Sequence, residues 1–363
     1  MIKHWFSFLL LTFMIYAETP YYLDPTQPLE ARVEDLLSRL TLDEKLSLIH
    51  ADSKFTAAGI DRLGIPVRFL SDGPHGVRQE IGPHSWAPAG RTDDYAGYLP
   101  NGTALASTWN PEMALEFGRV LGSEANARGK AVILGPAINI QRTPLCGRNF
   151  EYFGEDPYLT AQIVVPYIRG VQEQDVAACV KHFALNNQEV ERGSISVEID
   201  ERALREIYLP GFQAAVQQGG VYTVMGAYNK LRGGHCCHND YLLNTILKGE
   251  WGFQGLVVSD WSGTHDTREA ALYGLDLEMG TDKPYADYFL ADPFKELLLG
   301  GEIPMSVLDD KARRNLRVMF LTHVFDPNRK KGVLNHPDHA KSARKIADES
   351  IVLLKNDGGF LPL

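Results

Sequence analysis

The feature that most constrains this chain is a repeated alternation. Six short apolar runs, "IPVRFL" (65–70), "AVILGPAINI" (131–140), "VAACV" (176–180), "VYTVMGAY" (221–228), "GLVVS" (255–259) and "LDLEM" (275–279), lie between segments that carry helix-start signals. Runs this short and unbroken suit strands buried on both faces. Thr41 with Glu44 forms a capping box, and Asn110-Pro111 and Asp156-Pro157 each place a proline at the first helical position. Asp200, Asn239 and Asp266 stand before further helical stretches, the first of which stops at Gly219-Gly220. Strands alternating with helices imply parallel βα units. Six such units over roughly 250 residues match the size of a (βα)8 barrel. The expected fold is therefore α/β, a TIM-like (β/α)8 barrel irregular in its first strands. The two strands still needed are expected near "RVEDLLSRL" or within 73–110. A doubly wound open sheet is the alternative, but no Gly-rich phosphate loop follows the first strand.

The flanks read differently. Residues 1–17 open with Lys3, run through mostly apolar residues from Trp5 to Ala17 and turn polar at Glu18. That run is too short to span a bilayer comfortably and reads as an export signal, which implies a periplasmic or extracellular protein. The barrel domain is expected over 18–332. From 333 onward, "LNHPDHAKSARKIADESIVLLKNDGGFLPL" reads as a helix, a buried strand and a turn, the opening of an incomplete α/β second domain. A formal net charge of −10 over 363 residues argues against nucleic acid or anionic lipid as partners. Four cysteines, Cys146, Cys179, Cys236 and Cys237, are too few for a disulfide scaffold and allow three pairings. "HCCH" at 235–238 invites a zinc reading, but adjacent ligands wrap one ion poorly, so a turn with semi-buried thiols and no metal is expected.

What sits at the strand ends carries the chemistry. They read Ser71-Asp72-Gly73, Ile138-Asn139-Ile140, Lys181-His182-Phe183, Ala227-Tyr228-Asn229, Ser259-Asp260-Trp261 and Glu278-Met279-Gly280. In a βα barrel these ends share one rim, where catalysis occurs. Exposed strand ends and caps explain Asp72 or Asp260 alone. They do not explain Lys181-His182 directly after five apolar residues, nor an indole behind Asp260. Asp, Arg, Lys, His, Tyr and Trp without a metal set suit sugar binding. Charged groups bond hydroxyls, and aromatic faces stack on the apolar face of a pyranose. Glycoside hydrolysis then asks for two carboxyl groups.

"SDGPHGVR", "PLCGRNFEYFGEDPYL", "KHFALNNQE", "VMGAYN" and "GLVVSDW" resemble, in order and spacing, the first domain of family 3 glycoside hydrolases, in the β-glucosidase branch. The likeness covers nearly everything after residue 30, including "ESIVLLKNDG", the entry to that family's second domain. It implies retaining, exo-acting hydrolysis of terminal β-glucosyl residues with no cofactor, with Asp260 as nucleophile and Trp261 walling the sugar. Asp72, Arg148, Lys181, His182, Arg192 and Tyr228 would hold the sugar, and Met225 would line the subsite. β-Xylosidase-like relatives tend to have Glu where Asp72 stands, so glucose is expected rather than xylose. The N-acetylhexosaminidase branch resembles "KHFPGHG", which "KHFALNNQE" is not.

In that branch the general acid/base is a Glu of the second domain, expected beyond residue 363. The stretch alone would then turn over cellobiose negligibly. Its alternatives are a sugar-binding fragment lacking the acid, or half of a split enzyme whose partner chain carries the second domain. A barrel aldolase using Lys181 as a Schiff base is a more distant reading. Taken singly, Lys181 also suits a buried ion pair, His182 a satisfied core histidine and Tyr228 a core tyrosine. Glu189 and Glu191 are expected near the rim in solvated or ion-paired roles.

Overall fold

The computed structural model describes residues 20–280 and 283–362, so the expected leader lies outside the described residues. Among the described residues nine strands form: β1 (Thr56–Ala57), β2 (Arg68–Ser71), β3 (Val132–Ile133), β4 (Ala177–Phe183), β5 (Ser196–Val197), β6 (Thr223–Gly226), β7 (Lys230–Leu231), β8 (Gly234–His235) and β9 (Leu256–Val258). The main sheet has the order β1-β2-β3-β4-β6-β9, while β5, β7 and β8 make a small separate sheet. From β2 to β9 every neighbour is parallel, and β1 alone is antiparallel to β2.

Isolated bridges close this sheet. Leu277 continues it parallel to Val258, Glu278 pairs parallel with His50, and Ala51 pairs antiparallel with Ala57 of β1. Eight segments thus form a ring. The two that the sequence left open come from 50–51 and 56–57. "RVEDLLSRL" instead belongs largely to a helix, Leu29–Ser38, and 73–110 supplies no barrel strand. Both expected locations were wrong because the missing strands are only two residues long, below what a periodicity of two can reveal.

Alternation around the ring splits the core. Leu70, Val132, Leu134, Cys179, Met225, Leu256, Val258 and Leu277 fill the interior. Ile133, Ala178, Val180, Val224 and Val257 face the surrounding helices. The expected caps form. Thr41 caps Leu42–Ser47 in a full capping box, and Asn110 and Asp156 cap α1 (Pro111–Ala127) and α2 (Pro157–Gln172), each with its proline at the first position. The stretch after Asp200 is not one regular helix. A wide-turned segment, Leu204–Tyr208, precedes Pro210, which has no N–H to give to a regular α ladder.

Residues 337–350 form a helix tied to α1, with Ser342 bonding Glu116 (2.6 Å) and His339 bonding Glu124 (2.8 Å). The strand expected at 351–354 does not form. Ile351, Val352, Leu353 and Leu354 are exposed, because no strand among the described residues offers them a ladder. No helix among the described residues is long and apolar enough to cross a membrane.

Helices α1 and α2 touch backbone to backbone. A Cβ on Gly118 would sit 2.2 Å from the Tyr167 carbonyl oxygen, and one on Gly170 2.3 Å from that of Leu115. Helix propensity alone favours Ala over Gly by up to ~1 kcal/mol. Gly118→Ala should nevertheless destabilise the fold by roughly 1–3 kcal/mol through overpacking, read as a lower urea midpoint. A midpoint unchanged or raised would mean that the crossing yields without cost.

Candidate active site

The ends of the parallel strands converge on a cavity of about 250 Å³. Asp72 follows β2, Lys181 and His182 lie near the C-terminal end of β4, Met225 lies in β6 with Tyr228 just beyond it, and Asp260 with Trp261 follows β9. Arg148 and Arg192 reach in from the loops after β3 and β4. All nine of these side chains line the cavity, together with Trp86 from the long segment after β2.

Asp260 is a deeply buried carboxyl group with a raised pKa. Only 7% of it is exposed. Its Oδ1 accepts the Trp261 N–H at 2.8 Å, whereas the buried Oδ2 has no hydrogen-bond partner. Burial pushes its pKa up to about 6, opposed by Lys181, the Trp261 N–H, Arg148 and the Tyr228 hydroxyl. The His182 Nε2 lies 3.8 Å from Oδ2. Burial, with Arg148, Lys181 and Arg192 adding to it, drives the His182 pKa well below its ordinary value, so this imidazole is neutral. Asn139, at the end of the β3 run, fixes that residue by accepting its N–H and donating to its carbonyl, each at 2.9 Å.

The cations are held from behind. Glu151, itself buried, binds Arg148 through Nε at 2.5 Å and stands 3.8 Å from the Lys181 ammonium. Burial favours the protonated form of Glu151, but Lys181 and Arg148 outweigh it and its pKa is lowered. Lys181 also reaches Asp72 at 3.5 Å, and Asp72 reaches Arg78 at 3.4 Å. Lys181 is therefore both a buried ion-pair member and a wall of the cavity. Arg192 bonds Glu189 at 2.6 Å and lies 4.6 Å over the Tyr228 ring. Glu189 is ion-paired as expected, and Glu191 is exposed.

Sequence reasoning passed over Glu151 and Trp86. Glu151 stands three residues after Arg148 inside the quoted "RNFEYFG", and that opposite-charge spacing was a usable signal. Trp86 lies in a segment with no periodicity and offered none. The thiols of Cys236 and Cys237, expected semi-buried, are fully buried, because the turn packs under the strand ends. His235 stacks on His265 at 3.8 Å, and His238 bonds Glu269 at 2.8 Å. Among the described residues no group of three or more His, Cys, Asp or Glu is placed to hold a metal ion.

The model of the glycosyl hydrolase family 3 N-terminal domain matches residues 41–318. Beta-glucosidase BoGH3A of Bacteroides ovatus is 52% identical over 353 residues, 94% of this chain and 47% of its own length. Thermostable beta-glucosidase B of Acetivibrio thermocellus is 40% identical, over 91% of this chain and 43% of its own. Among solved structures, beta-glucosidase 3B from Thermotoga neapolitana in complex with glucose superposes with a TM-score of 0.84 at 38% identity, covering 91% of this chain and 48% of that one. The chain thus spans about half the length of the relatives it matches. With the family domain matched over most of its length and rim chemistry to suit, the chain belongs to glycosyl hydrolase family 3.

Proposed function

We propose that this barrel is the sugar-binding, nucleophile-bearing half of a retaining exo-β-glucosidase, with Asp260 as nucleophile. One observation carries the reading. Asp260 is a buried carboxylate whose Oδ2 lacks a hydrogen bond, at a cavity ringed by Arg148, Lys181, Arg192 and neutral His182. A carboxylate stripped of water and left with an unsatisfied oxygen is poised to bond to an electrophile. In the reading, Asp260 attacks the anomeric carbon, the bond to the aglycone oxygen breaks with its electron pair, and a glycosyl ester forms. Water then attacks the anomeric carbon, its proton passing to the acid/base outside the barrel, and the bond to Asp260 breaks to release the free carboxylate. Asp72, Arg148, Lys181, His182 and Arg192 bind ring hydroxyls, Tyr228 orients Asp260, Met225 floors the cavity, and Trp261 stacks on the sugar. Glucose is preferred to xylose because Asp72, one methylene shorter than Glu, leaves room for the hydroxymethyl group. The acid that protonates the departing oxygen is assigned to a Glu outside the barrel, in keeping with relatives about twice this length.

An activated 2-deoxy-2-fluoro-β-glucoside tests the nucleophile, because a good leaving group needs no acid. Intact mass should show one fluoroglucosyl adduct, and peptide mapping should place it on Asp260. An adduct elsewhere, or none on a folded chain, would sink the proposal. The pH dependence has a definite sign. A carboxyl raised to about 6 is protonated, and so not nucleophilic, at lower pH. Labelling should be flat above that value and fall about tenfold per unit well below it. A second variant tests the support behind the cations. Glu151→Gln frees Arg148 and Lys181 from their shared anion, and labelling should slow on the order of 10- to 100-fold through misplacement. An unaltered rate would show that Asp72 suffices to hold them.

A further inference from the structure

The reversal at β1 places a tight turn, residues 52–55, on the catalytic rim, since 50–51 runs upward beside Glu278 and β1 runs back down. Two of its residues touch tryptophans that wall the sugar cavity. The Phe55 ring lies 4.9 Å from that of Trp261 and 6.0 Å, edge-on, from that of Trp86. The Lys54 carbonyl accepts the Trp261 indole N–H at 2.7 Å. Trp86 is 49% exposed although it lines the same cavity as Asp260, so it offers a large aromatic surface at the cavity mouth.

Lys54 is the unusual member. It is only 7% exposed, and its ammonium lies 4.6 Å from the Trp86 ring centroid. No carboxylate among the described residues pairs with it. Its neighbours differ in this respect. A second cavity of about 330 Å³ lies along this turn, walled by Phe55, Ile81 and Pro83, by the cations Lys54, Arg78 and Lys130, and by Glu80. Arg78 is paired with Asp72 and Lys130 with Glu80 at 2.7 Å. A lysine this largely buried still carries three donors and is ordinarily matched by an anion, and an aromatic face satisfies one side of its ammonium only. The stacking surface and the unmatched charge stand together where a leaving group would emerge from the sugar site.

We propose that Trp86, Phe55 and Lys54 form an aglycone site for a planar aromatic group carrying a carboxylate. The aromatic group lies against Trp86 and Phe55, and its carboxylate takes the Lys54 ammonium in a charge-assisted hydrogen bond. The substrate class is then the β-glucoside of a phenolic acid rather than a neutral cello-oligosaccharide. This rests on the sugar-site reading above, so the test separates the two.

The probes are phenyl 1-thio-β-D-glucoside and its 4-carboxyphenyl counterpart, which resist hydrolysis, titrated into the chain at pH 7 by calorimetry with glucose as competitor. The carboxylated probe should bind at least about tenfold tighter, with the advantage shrinking as salt is added. Lys54→Met should bring the two dissociation constants together, and Lys54→Arg should keep them apart. Equal affinities in the unaltered chain would overturn the inference while leaving the sugar site intact. A carboxylate advantage that survives Lys54→Met would overturn it as well. Failure of both probes to compete with glucose would remove the sugar-site reading, and this inference with it.

Discussion

Everything in this barrel depends on closing the sheet. A six-member sheet left open would expose a row of unpaired N–H and C=O groups on β9 and another on β1, and buried backbone groups without partners are costly. Closure is made by three single bridges, at Leu277, Glu278 with His50, and Ala51 with Ala57. Because Ala57 pairs antiparallel, the ring completes only if the chain turns back on itself within residues 52–55. That turn takes the place of a βα crossover and leaves Phe69 of β2 partly exposed on the outer face. The closure that seals the backbone is thus also what puts Lys54 and Phe55 beside the strand ends.

The electrostatics of the rim follow from the depth this closure creates. Lys181 is a buried cation and Arg148 a half-buried one, and such charges are expensive to take out of water unpaired. Glu151 answers both from behind, and Asp72 answers Lys181 from the front. With those charges matched, their remaining donors can turn to the cavity, and their positive potential limits how far burial raises the pKa of Asp260. His182 responds in the opposite sense. Surrounded by the same cations it stays neutral, so it can hydrogen-bond a hydroxyl without adding a further charge. One desolvated environment therefore holds a carboxyl near its ionisation point and an imidazole far from its own.

The legible part of the sequence was whatever is long or placed by backbone geometry. Helix caps at Thr41, Asn110 and Asp156 were readable because each satisfies orphan N–H groups locally. Seven of the nine cavity residues sit in or just past parallel strands, while the two loop arginines were named only through the family resemblance, Arg148 inside "RNFEYFG" and Arg192 three residues past "KHFALNNQE". What escaped had no local signature. His50-Ala51 and β1 are two-residue pairings decided by ring closure, a long-range constraint. The apolar run 351–354 looked like a buried strand because hydrophobicity reports a preference for burial, and burial also needs a partner surface. Trp86 hangs on a 73–110 segment and is placed by contacts with Phe55 and Lys54, neither of them near it in sequence.

That difference in legibility follows a division of labour in the fold. Side chains fixed by strand ends differ little in position when loops change, since the barrel ladder sets where they start, and these side chains line the sugar cavity. Trp86, Phe55 and Lys54 are set instead by a hairpin tip and a long loop, which tolerate substitution and insertion at small thermodynamic cost. In the proposed reading, the chemistry at the anomeric carbon is anchored to the strand ladder of the barrel. Recognition of the group beyond it would rest on the hairpin tip and the long loop. A single barrel can then keep one sugar site while varying what that sugar is attached to, and in this chain the variable side presents aromatic surface and an unmatched ammonium.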